Sequence, residues 1–426
     1  MDAPGLALLS LLALGVAILA SCFSPINIGF LSIALAFLIG HFLGGLTVGT
    51  IVAGFPASLF LTLTGVTLLF SQAAVNGTLE NVAGRSVRLA RGNRGVIPIV
   101  FFFLAAALAT VGAGNIAATA LLAPIAMRVA GRIGVSGFLM ALMVANGANA
   151  GGLSPLAPTG IIARDLMARM GLAQTGWSNY ANTFAAQTFV AFAGYFLFGG
   201  LKLFRADRPD VAAPHVSATE SPGLMVEPLR PAQRLTLVLI ALLIVSVVGF
   251  RLDVGMGAFM AAVTLSLVRA TDEEAAVKCM PWGVILMVCG VTILIEVLAR
   301  TGGMALFTRL LAQLSGPRYA TGAIALVTGV ISVYSSSSGV VLPAFLPTVP
   351  GLVAQLGGGD PLMIAYSINV GSHLVDVSPL STLGALCLAA AAPQEDRGRL
   401  FRQLMAWGWS MAVVGALVCQ LFFGYR

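Results

Sequence analysis

The sequence predicts an all-α integral membrane protein made of two inverted repeats, each with five transmembrane spans and one re-entrant helical hairpin. Three observations predict it. Of 426 residues, 58% are hydrophobic and only 9% are charged, against about 25% charged in soluble domains. Two long apolar stretches are each interrupted near the middle by a small polar cluster. Short motifs also recur at a nearly constant offset between the halves of the chain. This composition excludes a soluble enzyme, a disordered chain and a nucleic-acid binder. The formal charge of +7 reads as a topology signal in so apolar a chain. Five scattered cysteines form no CxxC pair, so neither a zinc site nor a disulfide framework is expected.

A spanning helix needs about 20 apolar residues. Candidate runs, some of them short, lie at 4–23, 26–44, 51–75, 137–163, 180–204, 235–250, 254–268, 282–299, 362–392 and 404–423. The first ends Leu19-Ala20-Ser21-Cys22, which resembles a lipoprotein cleavage box. It starts with Asp2 and lacks Lys and Arg, so the basic region of a signal peptide is missing and a retained helix is expected. The stretch 97–130 is interrupted by Gly112-Ala113-Gly114-Asn115, and 320–352 by Ser335-Ser336-Ser337-Ser338-Gly339. Each arm is too short for a 30 Å hydrocarbon core. Two short arms around a polar tip read as a hairpin whose tip lines a protein cavity. The segments 78–91 and 305–314 before the hairpins read as amphipathic surface helices.

The polar stretch 205–234, with Pro209, Pro214, Pro222, Pro228 and Pro231, reads as a linker. Across it, Gly65-Val66-Thr67 recurs as Gly290-Val291-Thr292, and Ser154-Pro155-Leu156 as Ser378-Pro379-Leu380. Asn76-Gly77 matches Thr301-Gly302, and Pro124 matches Pro347, all at offsets of 223 to 225. Five spans per half is an odd number, so the second half is inverted. Inverted repeats around broken helices are a signature of secondary transporters. With both termini outside, 16 of the 23 Lys and Arg fall inside, as the positive-inside rule requires. Single-cysteine labelling should therefore find 205–234 on the cytoplasmic side and both ends outside. Labelling of that linker from outside would reverse the orientation.

Four clusters carry the chemistry: the two tips, 146–160 and 369–384. The last two place Asn and Gly residues mid-span and then Ser-Pro. Serine is a good N-cap and proline suits the first helical turn, so new half-helices are expected from Ser154 and Ser378. Second hairpin arms are expected from near Asn115 and Ser338. Four converging helix N-termini would form an anion site without a buried arginine. The expected substrate contacts are Gly114, Asn115, Ile116, Ser154, Pro155, Thr159, Ser337, Ser338, Gly339, Ser378, Pro379, Ser381 and Thr382. Oxygens around Gly114, Asn115, Asn149, Gly152, Ser336, Ser337, Ser372 and Asp376 are the expected holders of a coupling Na+. For any single Gly or Ser, helix packing is the competing explanation. Asp376 and His373 lie deep in an otherwise uncharged span, where ionisable groups carry either function or a structural hydrogen bond. Glu296 is expected to pair locally.

The tips, the paired Ser-Pro breaks and the linker between inverted halves resemble the ion transporter superfamily, divalent anion/sodium symporter type. Gly-Asn-Ile-Ala-Ala-Thr-Ala-Leu-Leu-Ala-Pro at 114–124 and Gly-Gly-Leu-Ser-Pro-Leu-Ala-Pro-Thr-Gly at 151–160 are similar to the MatC-type malonate/dicarboxylate carriers. The better-known dicarboxylate members carry Ser-Asn-Thr at both tips; here the positions hold Gly114-Asn115-Ile116 and Ser337-Ser338-Gly339. The resemblance implies a homodimer in the bacterial inner membrane. It also implies scaffold helices at 4–94 and 235–315. Mobile transport elements at 95–204 and 319–426 would hold the hairpins and the broken helices 137–163 and 362–392. They would slide as an elevator. The first repeat is then 1–204 and the second 235–426. The expected cargo is a small dicarboxylate, malonate or a C4 acid, with Na+. Rivals are a cation/proton antiporter or H+-coupled carboxylate transporter using Asp376, a membrane-embedded enzyme, and a channel. The enzyme lacks HExxH and any Ser/His/Asp set. A channel has no need of two inverted hairpins.

Overall fold

The computed structural model describes residues 3–23, 26–88, 93–172, 175–205, 228–250, 252–313, 316–392 and 395–424. Residues 206–227 of the expected linker lie outside them. The described residues are helical, with no strand. The first five helices are α1 (Ala3–Phe23), α2 (Ile28–Phe37, prolonged by a π turn), α3 (Val48–Val52), α4 (Ala57–Val75) and α5 (Thr78–Arg88). Then follow α6 (Val96–Leu108), α7 (Gly114–Ile133), α8 (Gly137–Gly152), α9 (Pro158–Arg169), α10 (Gly176–Leu197) and α11 (Gly200–Arg205). The second half opens with α12 (Pro231–Phe250), α13 (Val254–Leu267), α14 (Glu273–Cys279), α15 (Trp282–Arg300) and α16 (Gly303–Gln313). It closes with α17 (Ala320–Tyr334), α18 (Leu342–Phe345), α19 (Val349–Leu356), α20 (Pro361–Leu374), α21 (Thr382–Ala389) and α22 (Arg397–Phe423).

Among the described residues, five helical stretches are long and apolar enough to cross a membrane, and the chain is a multi-pass membrane protein. One of the five, Val96–Ile133, is two arms and not one rod. Gly112 has φ 126° and Gly114 φ 79°, which no helix allows, and α6 and α7 pack on each other. Between α17 and α18, Ser335 and Ser336 are extended. From Ser337 to Leu356 the chain passes through π, α and 3-10 turns, because Pro343, Pro347 and Pro350 remove the amides a regular ladder needs. Two apolar runs that look continuous in sequence are divided. Pro56 separates α3 from α4, and Gly199, at φ 92°, separates α10 from α11.

Aspartates start the polar ends of helices. Asp253, Asp272, Asp360 and Asp396 each accept a backbone amide at 2.8–3.0 Å, filling donors that a helix start leaves free. Asp165, Glu274 and Glu296 pair with Arg169, Lys278 and Arg300 one turn on.

The packing exchanges partners between the halves. α2 lies on α15 and α13 on α4, across the halves, whereas α6 lies on α8 and α17 on α20 within them. α10 crosses α20 while α22 crosses α8, and α21 rests on α7 while α9 rests on the second hairpin. The hairpins and broken helices therefore interlock into one cluster.

Candidate functional site

The helix breaks are built by side chains that reach sideways. α8 stops at Gly152 and α9 starts only at Pro158, with Ala157 before it; α20 stops at Leu374 and α21 starts at Thr382, after Ser381. The new half-helices thus begin four residues beyond the Ser154 and Ser378 starts expected from sequence. These two serines have another task. Ser154 Oγ donates to the Thr110 carbonyl at 2.8 Å and accepts the Leu156 amide. Ser378 Oγ donates to the Val333 carbonyl at 2.7 Å and accepts the Leu380 amide. Carbonyls at a helix end lack intrahelical partners, so each serine ties its break to the last turn of a hairpin's first arm.

Two polar hubs follow. At the first tip, Asn115 Nδ2 donates to Asn149 Oδ1 at 2.8 Å, and Thr159 Oγ1 donates to Asn115 Oδ1 at 3.2 Å. The Ile116 amide also reaches Asn115 Oδ1. The starts of α7 and α9 therefore meet. At the second tip, Asp376 Oδ1 lies 2.6 Å from Ser337 Oγ, 3.0 Å from Ser381 Oγ and 3.4 Å from Ser332 Oγ. Ser332 and Ser337 also bond to each other. The second tip and the start of α21 meet here. The hubs are joined: Asn149 Nδ2 donates to the His373 carbonyl at 2.9 Å, as does Gln187 Nε2. Asn149 and His373 are 224 residues apart.

The hubs are chemically unequal. In the first, the amides already satisfy one another. The second holds a carboxylate only 5% exposed, donated to by hydroxyls and, among the described residues, not bonded to Lys or Arg. His373 does not bond to it. Its Nδ1 lies 2.7 Å from the Asn369 carbonyl, which can only accept, so Nδ1 carries the proton. Its Nε2 is buried without a partner. Asp376 is the acidic side chain of this cluster, and a full charge buried there without a counter-charge would cost several kcal/mol.

Beside the second hub lies a cavity of about 190 Å³, smaller than the ~300–1,000 Å³ pockets of drug-sized ligands. One wall is Tyr334, Ser335, Ser336, Val340, Leu380 and Thr382; the other is Ile26, Asn27, Ile28 and Met287. Ser336 Oγ accepts the Gly339 amide, which leaves its proton for a ligand. Thr382 brings the start of α21 to the same space. Among the described residues, no basic side chain lines it.

The structure thus gathers Asn115, Ile116, Asn149 and Thr159 in one hub and Ser337, Ser381 and Asp376 in the other. Gly152 packs against Asn115, and Gly114 against Pro158. Ser336 and Thr382 face the cavity, not Asp376. Ser372 offers its carbonyl to Ser337, while its hydroxyl is turned back to the Ile368 carbonyl at 2.7 Å, the usual retreat of a serine inside a helix. Ser338 and Pro379 are buried and, among the described residues, make no side-chain hydrogen bond to either hub, and Pro155 packs towards Gly176. Sequence reasoning placed Ser335 in the second tip without giving it a contact, and it missed Ser332, Tyr334 and the Asn27–Met287 wall. Ser332 was visible only as one of several hydroxyls in an otherwise apolar arm; the wall gives no local signal.

Residues 5–152 match the family described as the dicarboxylate carrier protein MatC N-terminus, as the sequence resemblance expects. The match runs from α1 to the end of α8 and includes Asn115 and Asn149. None of the curated proteins matches the chain in sequence. Among solved structures, the chain is similar to Neisseria gonorrhoeae MtrF, described as illuminating a class of antimetabolite efflux pumps. The identity is 13% and the TM-score 0.58, over 91% of this chain and 84% of that one. At this identity the likeness is one of fold.

Proposed function

We propose that this chain, with its MatC-type N-terminal region, is a secondary active transporter of a small dicarboxylate, malonate or a C4 acid, coupled to Na+. The observation that carries the reading is Asp376, a buried carboxyl with no basic partner among the described residues, next to a hydroxyl-lined cavity where none of the described lining residues is basic. An entering dianion would meet an uncompensated negative charge. A cation held by Asp376, the Ser337 and Ser381 hydroxyls and the Ser372 carbonyl would neutralise the aspartate and attract the substrate together. An all-oxygen donor set suits a small hard cation. The helix starts at Ser336–Ser337 and Thr382 add partial positive charge, each worth at most about 2 kcal/mol. That alone does not offset the several kcal/mol of desolvating a carboxylate.

The exchange of packing partners between halves supports an inverted-repeat architecture. The interlocking of α6–α10 with α17–α22 supports an elevator in which these elements move against α2, α4, α13 and α15. The same reading takes the protein as a homodimer in a bacterial inner membrane with both termini outside. A second reading uses the same residue. With a proton in place of Na+ on Asp376, the chain would be an H+-coupled carboxylate transporter or a cation/proton antiporter.

The test is ligand affinity by thermal shift, because a ligand that binds only the native state raises apparent stability. Dicarboxylate affinity should rise with Na+ at constant ionic strength and fall in choline. By linkage, the dicarboxylate should tighten Na+ binding by the same factor. Equal affinity in Na+ and choline would sink the sodium claim. Affinity that rises as pH falls would install the proton instead.

A further inference from the structure

Building on the small-acid reading of the same cavity, we infer that Met287 is a specificity-determining residue that sets the maximum ligand length. It does so by spanning from α15 to the second hairpin tip. The cavity's two walls differ in their polar groups. The first brings the Ser336 and Thr382 hydroxyls beside Val340 and Leu380, while on the second Ile28 and Met287 present hydrocarbon and a thioether. Asn27 is the polar residue on this second wall, and it is spent on structure. Its Oδ1 accepts the Gly29 amide and its Nδ2 donates to the Gly283 carbonyl, both at 2.9 Å.

That staple also fixes where Met287 stands. A Cβ on Gly29 would lie 2.6 Å from Met287 Cα, and a Cβ on Gly339 would lie 1.9 Å from Met287 Cε. The base of the side chain is therefore pressed on α2 and its end on the tip. A carboxylate anchored at Ser336 and Thr382 extends its methylenes towards Met287, and the chain that fits is short. A longer acid has to displace the thioether from Gly339. Methionine is the most adaptable of apolar side chains, so the limit is graded and not absolute. One methylene in an apolar pocket is worth about 10- to 200-fold in discrimination.

The experiment competes matched acids against a bound reference in the full-length protein. The diacids are malonate, succinate and glutarate; the monoacids are acetate, propionate and butyrate. Wild type should prefer the shortest member of the series it binds. Met287→Ala should reduce that preference by about tenfold or more per methylene, and Met287→Leu, which refills the space, should restore it. An unchanged length profile in Met287→Ala, or equal weakening of every acid, would overturn the inference. Binding of monoacids alone would overturn the dicarboxylate reading and leave the length effect of Met287 readable in that series. Binding of neither series would overturn both.

Discussion

Asp376→Asn is expected to abolish Na+-dependent binding and uptake while leaving the fold intact. Asp376 is the acidic side chain of the two hubs, and its three hydroxyl neighbours cannot take its place. Removing one partner of a buried charge pair costs about 3–5 kcal/mol. At 1.4 kcal/mol per factor of ten, Na+ affinity should fall by roughly two to three and a half decades. The neutral amide keeps the shape and removes the desolvation cost of an unpaired ion. The thermal midpoint without Na+ should therefore hold steady or rise, while its response to Na+ disappears. A variant that kept full Na+ response would place the cation elsewhere, with the Asn115–Asn149 hub as the next place to look. A variant that lost a pH response, in a protein that never responded to Na+, would assign the coupling to a proton.

Gly160→Ala and Gly384→Ala are expected to prevent folding of the cluster. A Cβ on Gly160 would lie 1.9 Å from the Ser154 carbonyl oxygen, and one on Gly384 2.1 Å from the Ser378 oxygen. These contacts are with backbone, so no side chain can swing aside. The break itself would have to open, pulling Ser154 from Thr110 or Ser378 from Val333. Overpacking commonly costs about 1–3 kcal/mol and here should exceed that, against a total stability of about 5–15 kcal/mol. Yield of monodisperse protein in detergent and its thermal midpoint measure the effect. Gly15→Ala is the control. Nothing lies within 4 Å of its Cβ position, and alanine in a helix interior gains about 0.5–1 kcal/mol over glycine. Tolerance of alanine at both Gly160 and Gly384 would mean that the breaks are loose.

The two halves of the site differ in how legible they are from sequence. Gly112, Gly114, Ser335 and Ser336 interrupt long apolar runs, and the helices leave their path at those residues because such a pattern is local. The breaks after α8 and α20 are also marked locally, by Ser-Pro. Their hydrogen bonding is not. A serine can cap the helix that follows it or reach a carbonyl elsewhere, and both choices look the same in a sequence. Ser154 and Ser378 take the second because the ends of the α6 and α17 arms leave carbonyls open beside them.

Composition, hydrophobic run length and the recurrence of short motifs determined, by themselves, a helical multi-pass membrane protein with its polar residues concentrated in a few clusters. They also carried the MatC resemblance that the family match at residues 5–152 bears out. Tertiary structure alone decided which hydroxyls surround Asp376, that His373 turns its proton to Asn369, and that Met287 and Asn27 form the far wall of the cavity. The physical reason is separation along the chain. The Asn149–His373 bond spans 224 residues and the Asn27–Gly283 bond 256. Neither is written in any local periodicity, and each exists only because helices from opposite halves pack against each other.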